Sequence, residues 1–233
     1  MNAIITGATK GIGRALVFGL LREGWNVAVT SRHMEELKLL QEECHQHHPK
    51  QQCLVHAVDF SSKENTLAYA KTILSEWSHF ELLINNVGIF FPGQVHAEED
   101  GVLEKTMDLN LFSPYHLTRA LLPSMIKRKH GHIINLCSIA SIISYPNGGA
   151  YTISKFALLG FSKALREEMK PYGIKVTSVM PGATWSGSWE GADYPQDRLM
   201  PPEDVAEVIL SSTRLSAASC VEEILIRPQL GDL

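Results

Sequence analysis

Cysteine is scarce: four residues in 233, at Cys44, Cys53, Cys137 and Cys220, with no CxxC pair. That spacing excludes a disulfide framework and a cysteine zinc site, and leaves small apolar side chains in a reducing compartment. Excess positive charge is also missing. Lys and Arg number 21 against 25 Asp and Glu, a formal net charge of −4, so no basic field exists to hold nucleic acid. No stretch approaches the ~18 uninterrupted apolar residues of a membrane span. Met1 leads straight into an apolar run and a glycine turn, without the basic segment and long apolar core of a secretory signal. A soluble, cytoplasmic protein is expected. Internal repeats, low-complexity tracts and Pro/Ser-rich linkers are absent, so residues 1–233 read as one domain.

What is present is alternation. Short β-branched runs at residues 2–6, 25–30, 53–58, 82–85, 132–136, 175–179 and 223–226 read as strands. Helical spacing fills 12–22, 34–46, 63–77, 98–105, 109–128, 151–170 and 202–212. Apolar strands separated by helices indicate a seven-stranded parallel sheet covered on both faces, an α/β fold. The stretch 182–197 has poor periodicity and is expected to loop over the C-terminal edge of the sheet, where such folds bind ligands.

At the first strand-to-helix turn stands Thr6-Gly7-Ala8-Thr9-Lys10-Gly11-Ile12-Gly13. Gly7 permits a tight turn, Gly11 lets the backbone approach a pyrophosphate, and Gly13 lets the helix pack close, its first amides facing the anion. The spacing is Gly-x3-Gly-x-Gly rather than GxGxxG; its place directly after the first strand points to dinucleotide binding on a doubly wound Rossmann domain. A dinucleotide with a free ribose 2′-hydroxyl needs an acid at the end of strand two. Val29-Thr30-Ser31-Arg32 offers none. Lys10 and Arg32 together can instead hold a 2′-phosphate, with Ser31 beside them, which favours NADP(H). The competing description is two solvated cations of no consequence.

Tyr151-Thr152-Ile153-Ser154-Lys155 sets a tyrosine and a lysine one helical turn apart on one face. A free phenol ionises near pH 10, so one that exchanges protons near neutrality needs its phenolate favoured by on the order of 4 kcal/mol. A lysine ammonium and an oxidised nicotinamide are suitable sources. YxxxK alone is common and usually marks two surface residues; its neighbours give it weight. Ser138 ends the fifth strand, where its hydroxyl can either donate to a substrate carbonyl or cap the local turn. Asn85-Asn86-Val87-Gly88 ends the fourth strand. Asn110 lies in a helix that asparagine disfavours, so it must compensate by hydrogen bonding, to a backbone carbonyl and a water.

These motifs fall in the order found in the short-chain dehydrogenases/reductases, which the chain resembles over nearly its whole length. The resemblance rests on the glycine loop, Asp59, Asn-Asn-x-Gly, Asn110, Ser138, Tyr151-x3-Lys155 and Pro181-Gly182. It implies hydride transfer between a nicotinamide and a small carbonyl or alcohol substrate. Tyr151 would be the general acid in reduction and the base in oxidation. Lys155 would lower its pKa and hold the nicotinamide ribose, Ser138 would position the carbonyl, and Asn110 would anchor a water relay to Lys155. Gly7, Thr9, Lys10, Gly11, Ile12, Gly13, Ser31 and Arg32 would hold the phosphates. Asp59 would face the adenine amino group, with Asn86 and Gly88 lining the cofactor. The backbone at Pro181, Gly182 and Thr184 would fix the nicotinamide amide. Within the family, 3-oxoacyl-carrier-protein, sepiapterin-like and broad-range ketone reduction stay open; the tryptophan loop and the ending Ile226–Gly231 lean to a small ketone or a pterin. Outside enzymology, a sensor or scaffold that binds NADP without turnover is the alternative.

Two departures stand out. Val87 replaces the usual alanine, adding two methyl groups near the cofactor, and the segment after Gly182 is short, with Trp185 and Trp189 either walling a pocket or packing the loop down. His45, His47 and His48 lack a completing ligand and read as helix-end cations, and Ser124 to Lys127 is a chance SxxK, so no metal is expected. Apolar residues surround the helices at 109–125 and 153–169, including Leu111, Phe112, Leu117, Phe156, Leu159 and Phe161. One buried face cannot absorb them all. Family members commonly pair these helices across a two-fold axis, so a homodimer or homotetramer is expected.

Overall fold

In a computed structural model, which describes residues 1–186 and 198–231, seven strands form one all-parallel sheet in the order β3-β2-β1-β4-β5-β6-β7. The strands are β1 (Asn2–Ile5), β2 (Asn26–Ser31), β3 (Cys53–Ala57), β4 (Leu82–Asn85), β5 (Gly131–Leu136), β6 (Ile174–Pro181) and β7 (Glu223–Ile226). Between them run α1 (Gly11–Arg22), α2 (Met34–His47), α3 (Lys63–Glu76), α4 (Val102–Met107), α5 (Ser113–Arg128), α6 (Gly149–Met169) and α7 (Pro202–Thr213). The apolar central strands are covered on both faces, as parallel sheets require. One core gathers Leu16, Leu20, Val27, Ile84 and Ile209; the other gathers Ile4, Tyr69, Leu83, Leu121 and Ile133.

Strand order reverses between β1 and β4, because the chain builds outward from β1 on one side and from β4 on the other. The crevice at the C-terminal ends of those two strands is the ligand site of this architecture. The glycine loop leaves β1 on one lip, and Asn86 leaves β4 on the other.

One expected boundary is corrected. The helices anticipated at 98–105 and 109–128 form a nearly continuous rod: α4 starts at Val102, behind Gly101 with φ of 87°, and runs into α5 through a π-helical turn at Asp108–Phe112. The extra residue in that turn displaces the apolar phase, which is why the periodicity reads as two helices. It also turns Asn110 inward, where it is fully buried. π-turns of this kind recur at functional sites. Elsewhere the element edges move by two residues or fewer: at β1 Thr6 joins the turn, and β6 reaches Pro181.

Candidate active site

The glycine loop is held from beneath. Thr6 Oγ1 accepts from the amides of Asn86 and Val87, both at 3.0 Å. The Asn86 side chain returns the tie, donating to the carbonyls of Thr6 (2.9 Å) and Gly7 (2.7 Å). The Asn86 side chain therefore shapes the cradle. Gly7 and Gly11 adopt φ of 65° and 54°, the left-handed region, which costs a side-chain-bearing residue on the order of 1 kcal/mol or more. At Gly13 a Cβ would stand 2.5 Å from the Gly7 carbonyl and 2.6 Å from Asn86 Nδ2. The crowding is with the loop itself. Lys10, the residue before α1, makes no side-chain cap, so the first amides of α1, from Gly11, Ile12 and Gly13, are available to an anion. An uncapped helix start beneath a loop that excludes side chains fits the pyrophosphate of a dinucleotide.

Beyond the loop lie the charges. Lys10 and Arg32 are both exposed. Thr9 Oγ1 donates to Glu36 Oε2 at 2.9 Å and lies 3.5 Å from Ser31 Oγ, while Lys10 Nζ pairs with Glu36 Oε1 at 3.4 Å. The Thr9 hydrogen bond, with help from Lys10, holds the Glu36 carboxyl below the usual carboxylate range. Sequence reasoning missed Glu36, because it arrives from α2, five residues past the strand end where an acid is looked for. Asp59 Oδ1 accepts from the amide (3.0 Å) and hydroxyl (2.8 Å) of Ser61, which lower its pKa and fix the turn after β3.

On the other side, β5 and α6 bring Ser138, Tyr151 and Lys155 together. Lys155 is buried, and its ammonium donates to the Leu136 carbonyl at 2.7 Å. The same Nζ stands 5.7 Å from the centre of the Tyr151 ring. Ser138 Oγ accepts from the Ala140 amide at 3.1 Å, and the Ser141 hydroxyl accepts from the Ser138 amide at 3.2 Å. Both roles open to Ser138 are therefore compatible: its oxygen caps the turn, and its own O–H proton is left to donate.

Asn110 finds the backbone carbonyl that its place in a helix requires. Its Oδ1 accepts from the Ile89 amide (2.8 Å), and its Nδ2 donates to the Ile89 carbonyl (3.0 Å) and to Ser154 Oγ (2.9 Å). The amide thus ties the β4 exit to α6. Gly88 explains how close these parts come: a Cβ there would meet Asn110 Oδ1 at 3.2 Å and Lys155 Nζ at 3.5 Å. Ser154, between the tyrosine and the lysine in sequence, is the other half of this tie.

Further contacts close the site. Phe90 packs edge-on against Tyr151, with ring centres 5.0 Å apart. The Gly182 amide donates to the Ile226 carbonyl (2.8 Å), and Thr184 Oγ1 donates to the Gly182 carbonyl (2.9 Å), which pins the chain just past Pro181. A Cβ at Gly11 would lie 3.3 Å from that of Ser186, so this segment crosses the phosphate loop. Trp189 lies outside the described residues. All four cysteines are free, and no cluster of three or more His, Cys, Asp or Glu suited to a metal occurs among the described residues. No helix among them is long and apolar enough to cross a membrane.

Comparison with known proteins agrees with this geometry. The family model of the short chain dehydrogenases matches residues 1–193. Dehydrogenase/reductase SDR family member 7B of Xenopus tropicalis is 37% identical over 222 residues, spanning 89% of this chain and 72% of that protein. Sepiapterin reductase of Chlorobaculum tepidum is 28% identical, over 99% of this chain and 97% of its own. A metagenomic short-chain oxidoreductase solved in complex with NADP is 31% identical and superposes with a TM-score of 0.86 over 98% of this chain and 97% of that one. With its sheet order and glycine cradle, and with these matches over most of its length, the chain belongs to the short-chain dehydrogenase/reductase family of nicotinamide-dependent oxidoreductases, enzymes acting on CH–OH and C=O groups.

Proposed function

We propose that the protein is an NADP(H)-dependent reductase of small carbonyl compounds, reversible to alcohol oxidation, with Tyr151 as the proton-transferring group. The observation that supports this most is the buried Lys155 ammonium, held by the Leu136 carbonyl at 2.7 Å and 5.7 Å from the centre of the Tyr151 ring. When bound, the nicotinamide supplies the hydride for reduction or accepts it in oxidation. The chain's residues do the rest.

The amides of Gly11 to Gly13 hold the pyrophosphate, and Lys10 and Arg32 bind the 2′-phosphate, with Thr9 and Ser31 lining it. Asp59 accepts from the adenine amino group. The backbone at Pro181, Gly182 and Thr184 holds the nicotinamide amide. Ser138 donates its hydroxyl proton to the substrate oxygen and so orients the carbonyl. Tyr151 delivers its phenolic proton to that same oxygen as the alcohol forms, and the adjacent ammonium of Lys155 favours the phenolate left behind. Asn110 keeps the Ile89 backbone and Ser154 fixed, so the geometry is preset before substrate enters. Phe90, Phe91, Ile142, Ile143 and Tyr145 expose apolar surface along the segments flanking Ser138 and Tyr151, which suits a small apolar ketone over a charged substrate.

Phe112, Ile153 and Phe156 are 43%, 43% and 48% exposed on the helical faces around α5 and α6. A homodimer or homotetramer would cover them, and size-exclusion chromatography with light scattering reads the state directly. Four free cysteines suit a reducing compartment, the cytoplasm.

The test is a tryptophan-fluorescence titration of NADPH against NADH on wild type and Arg32→Ala. A preference for NADPH that collapses in the variant supports the cofactor assignment. Equal affinity in both proteins overturns it.

A further inference from the structure

We propose that Glu36 is a built-in competitor for the adenosine 2′-phosphate, and that its carboxylate sets how far the chain discriminates NADP from NAD. The proposal rests on the NADP reading above and deepens it.

Glu36 spans the two residues on the loop side of the ribose pocket. One carboxylate oxygen takes the Thr9 hydroxyl at 2.9 Å, and the other pairs with Lys10 at 3.4 Å. These are the donors a 2′-phosphate would use from that side; Arg32, exposed on the other side, has Asp59 in its field and not Glu36 among its close contacts. The cation of Lys10 is therefore already answered by an internal anion, whereas that of Arg32 is not bound in this way.

Two cofactors meet this arrangement differently. A 2′-phosphate carries nearly two negative charges and only acceptor oxygens, so it must displace the carboxylate from Thr9 and Lys10 or bind beside it against repulsion. A free 2′-hydroxyl can donate a proton to a carboxylate, and it leaves the Lys10 pair intact. The pair is half-exposed, with Lys10 at 63% and Glu36 at 34% of full side-chain exposure. Exposed pairs of this kind are weak, so the phosphate can win. Its affinity is lowered by the contest rather than abolished. The missing acid at the end of β2 is in this way supplied from α2, at a place where it tempers NADP preference without converting the site to NAD.

The experiment isolates the ribose phosphate. Isothermal titration of wild type and Glu36→Gln with 2′,5′-ADP and with 5′-AMP needs no substrate and no turnover. The glutamine keeps the shape and an acceptor oxygen but removes the charge. Binding of 2′,5′-ADP should tighten by about five- to tenfold, consistent with removing a partly screened like charge, while 5′-AMP binding stays unchanged. An unaltered or weakened affinity for 2′,5′-ADP overturns the role of Glu36. A wild type that prefers 2′,5′-ADP and a variant with the same preference leave the NADP reading standing and sink only this inference. If wild type and variant alike bind the two nucleotides equally, the NADP reading falls and the inference with it.

Discussion

The two ends of the cofactor crevice are built on opposite principles. At the chemical end Asn110, Ser138, Ser154 and Lys155 are buried, and each makes a hydrogen bond within the strand ends, the turn after β5 or α6. At the adenosine end Lys10, Arg32 and Asp59 are exposed and Glu36 half-buried, held by a weak pair and a turn. A buried polar group left unpaired costs about 1–3 kcal/mol, so the first arrangement tolerates almost no change of residue. Charges near solvent interact through a high dielectric and are screened by salt, so the second can be retuned one residue at a time. The reaction is fixed by packing, and cofactor choice by adjustable electrostatics.

The comparison breaks most sharply at Tyr151. Tyr151→Phe should lower kcat by roughly 10²- to 10⁴-fold, the usual worth of a positioned acid or base, while NADPH titration on the same variant shows affinity nearly unchanged. Full activity in the variant would remove the proton-transfer role and favour a protein that binds the cofactor without turnover.

Asn110 tests the structural side of the same end. Asn110→Leu strips three hydrogen bonds and leaves the Ile89 amide and carbonyl without their partner in a buried place. A loss of about 3 kcal/mol in unfolding free energy is expected from those orphaned groups. Ser154→Ala removes only one bond and should cost about 1 kcal/mol. Urea denaturation of the two variants gives both numbers. If both cost the same small amount, the chemical end is not held rigid by its buried hydrogen bonds.

Burial acts on charge elsewhere in the sheet as well. His132 Nε2 on β5 donates to the Thr177 hydroxyl at 2.7 Å, that hydroxyl's own proton going to the Val221 carbonyl, and burial pushes the His132 pKa down to about 4. The unfolded chain binds a proton at this residue below about pH 6.5, while the folded chain resists until about pH 4. Stability is therefore complete above pH 6.5 and drains as the pH falls through that window, by on the order of 3 kcal/mol. His132→Asn should flatten the pH dependence of the melting temperature between pH 6.5 and 4. An unchanged slope would assign that loss to the carboxylates.

Much of the chemical end was legible because its chemistry demands fixed types at fixed spacings. A tyrosine and lysine four apart, a serine at a strand end and glycines where φ turns positive can be read in one dimension. The role of Asn86 was not. Its two bonds run to a loop nearly eighty residues earlier, and only the parallel pairing of β1 with β4 makes them neighbours. The π-turn was hidden for another reason: one inserted residue shifts a 3.6-residue phase and imitates a helix end. Glu36 was not legible because it lies five residues past the strand terminus, where only the folded course of α2 carries the acid back to Thr9.

The smallest expected effect lies where the two principles meet, at Glu98. This residue comes from the segment before α4, yet its Oε1 accepts from the Ala150 amide at 2.8 Å, in the first turn of the helix that carries Tyr151. Space for it is made by missing side chains: a Cβ on Gly149 would stand 2.1 Å from Glu98 Oε1, and one on Gly93 would stand 2.6 Å from Glu98 Cγ. The amide of Gly149 also donates to the Gly93 carbonyl at 3.1 Å, so this strap and the helix start are joined twice. A carboxylate at a helix N-terminus contributes through both its hydrogen bond and the helix dipole. Glu98→Ala should therefore cost about 1 kcal/mol, and Glu98→Gln less than half of that, because the amide oxygen still accepts. Thermal melts of the two variants separate the bond from the charge. Equal losses would mean that charge dominates, and the tie would then belong with the adjustable electrostatics of the adenosine end rather than with the rigid frame around Tyr151.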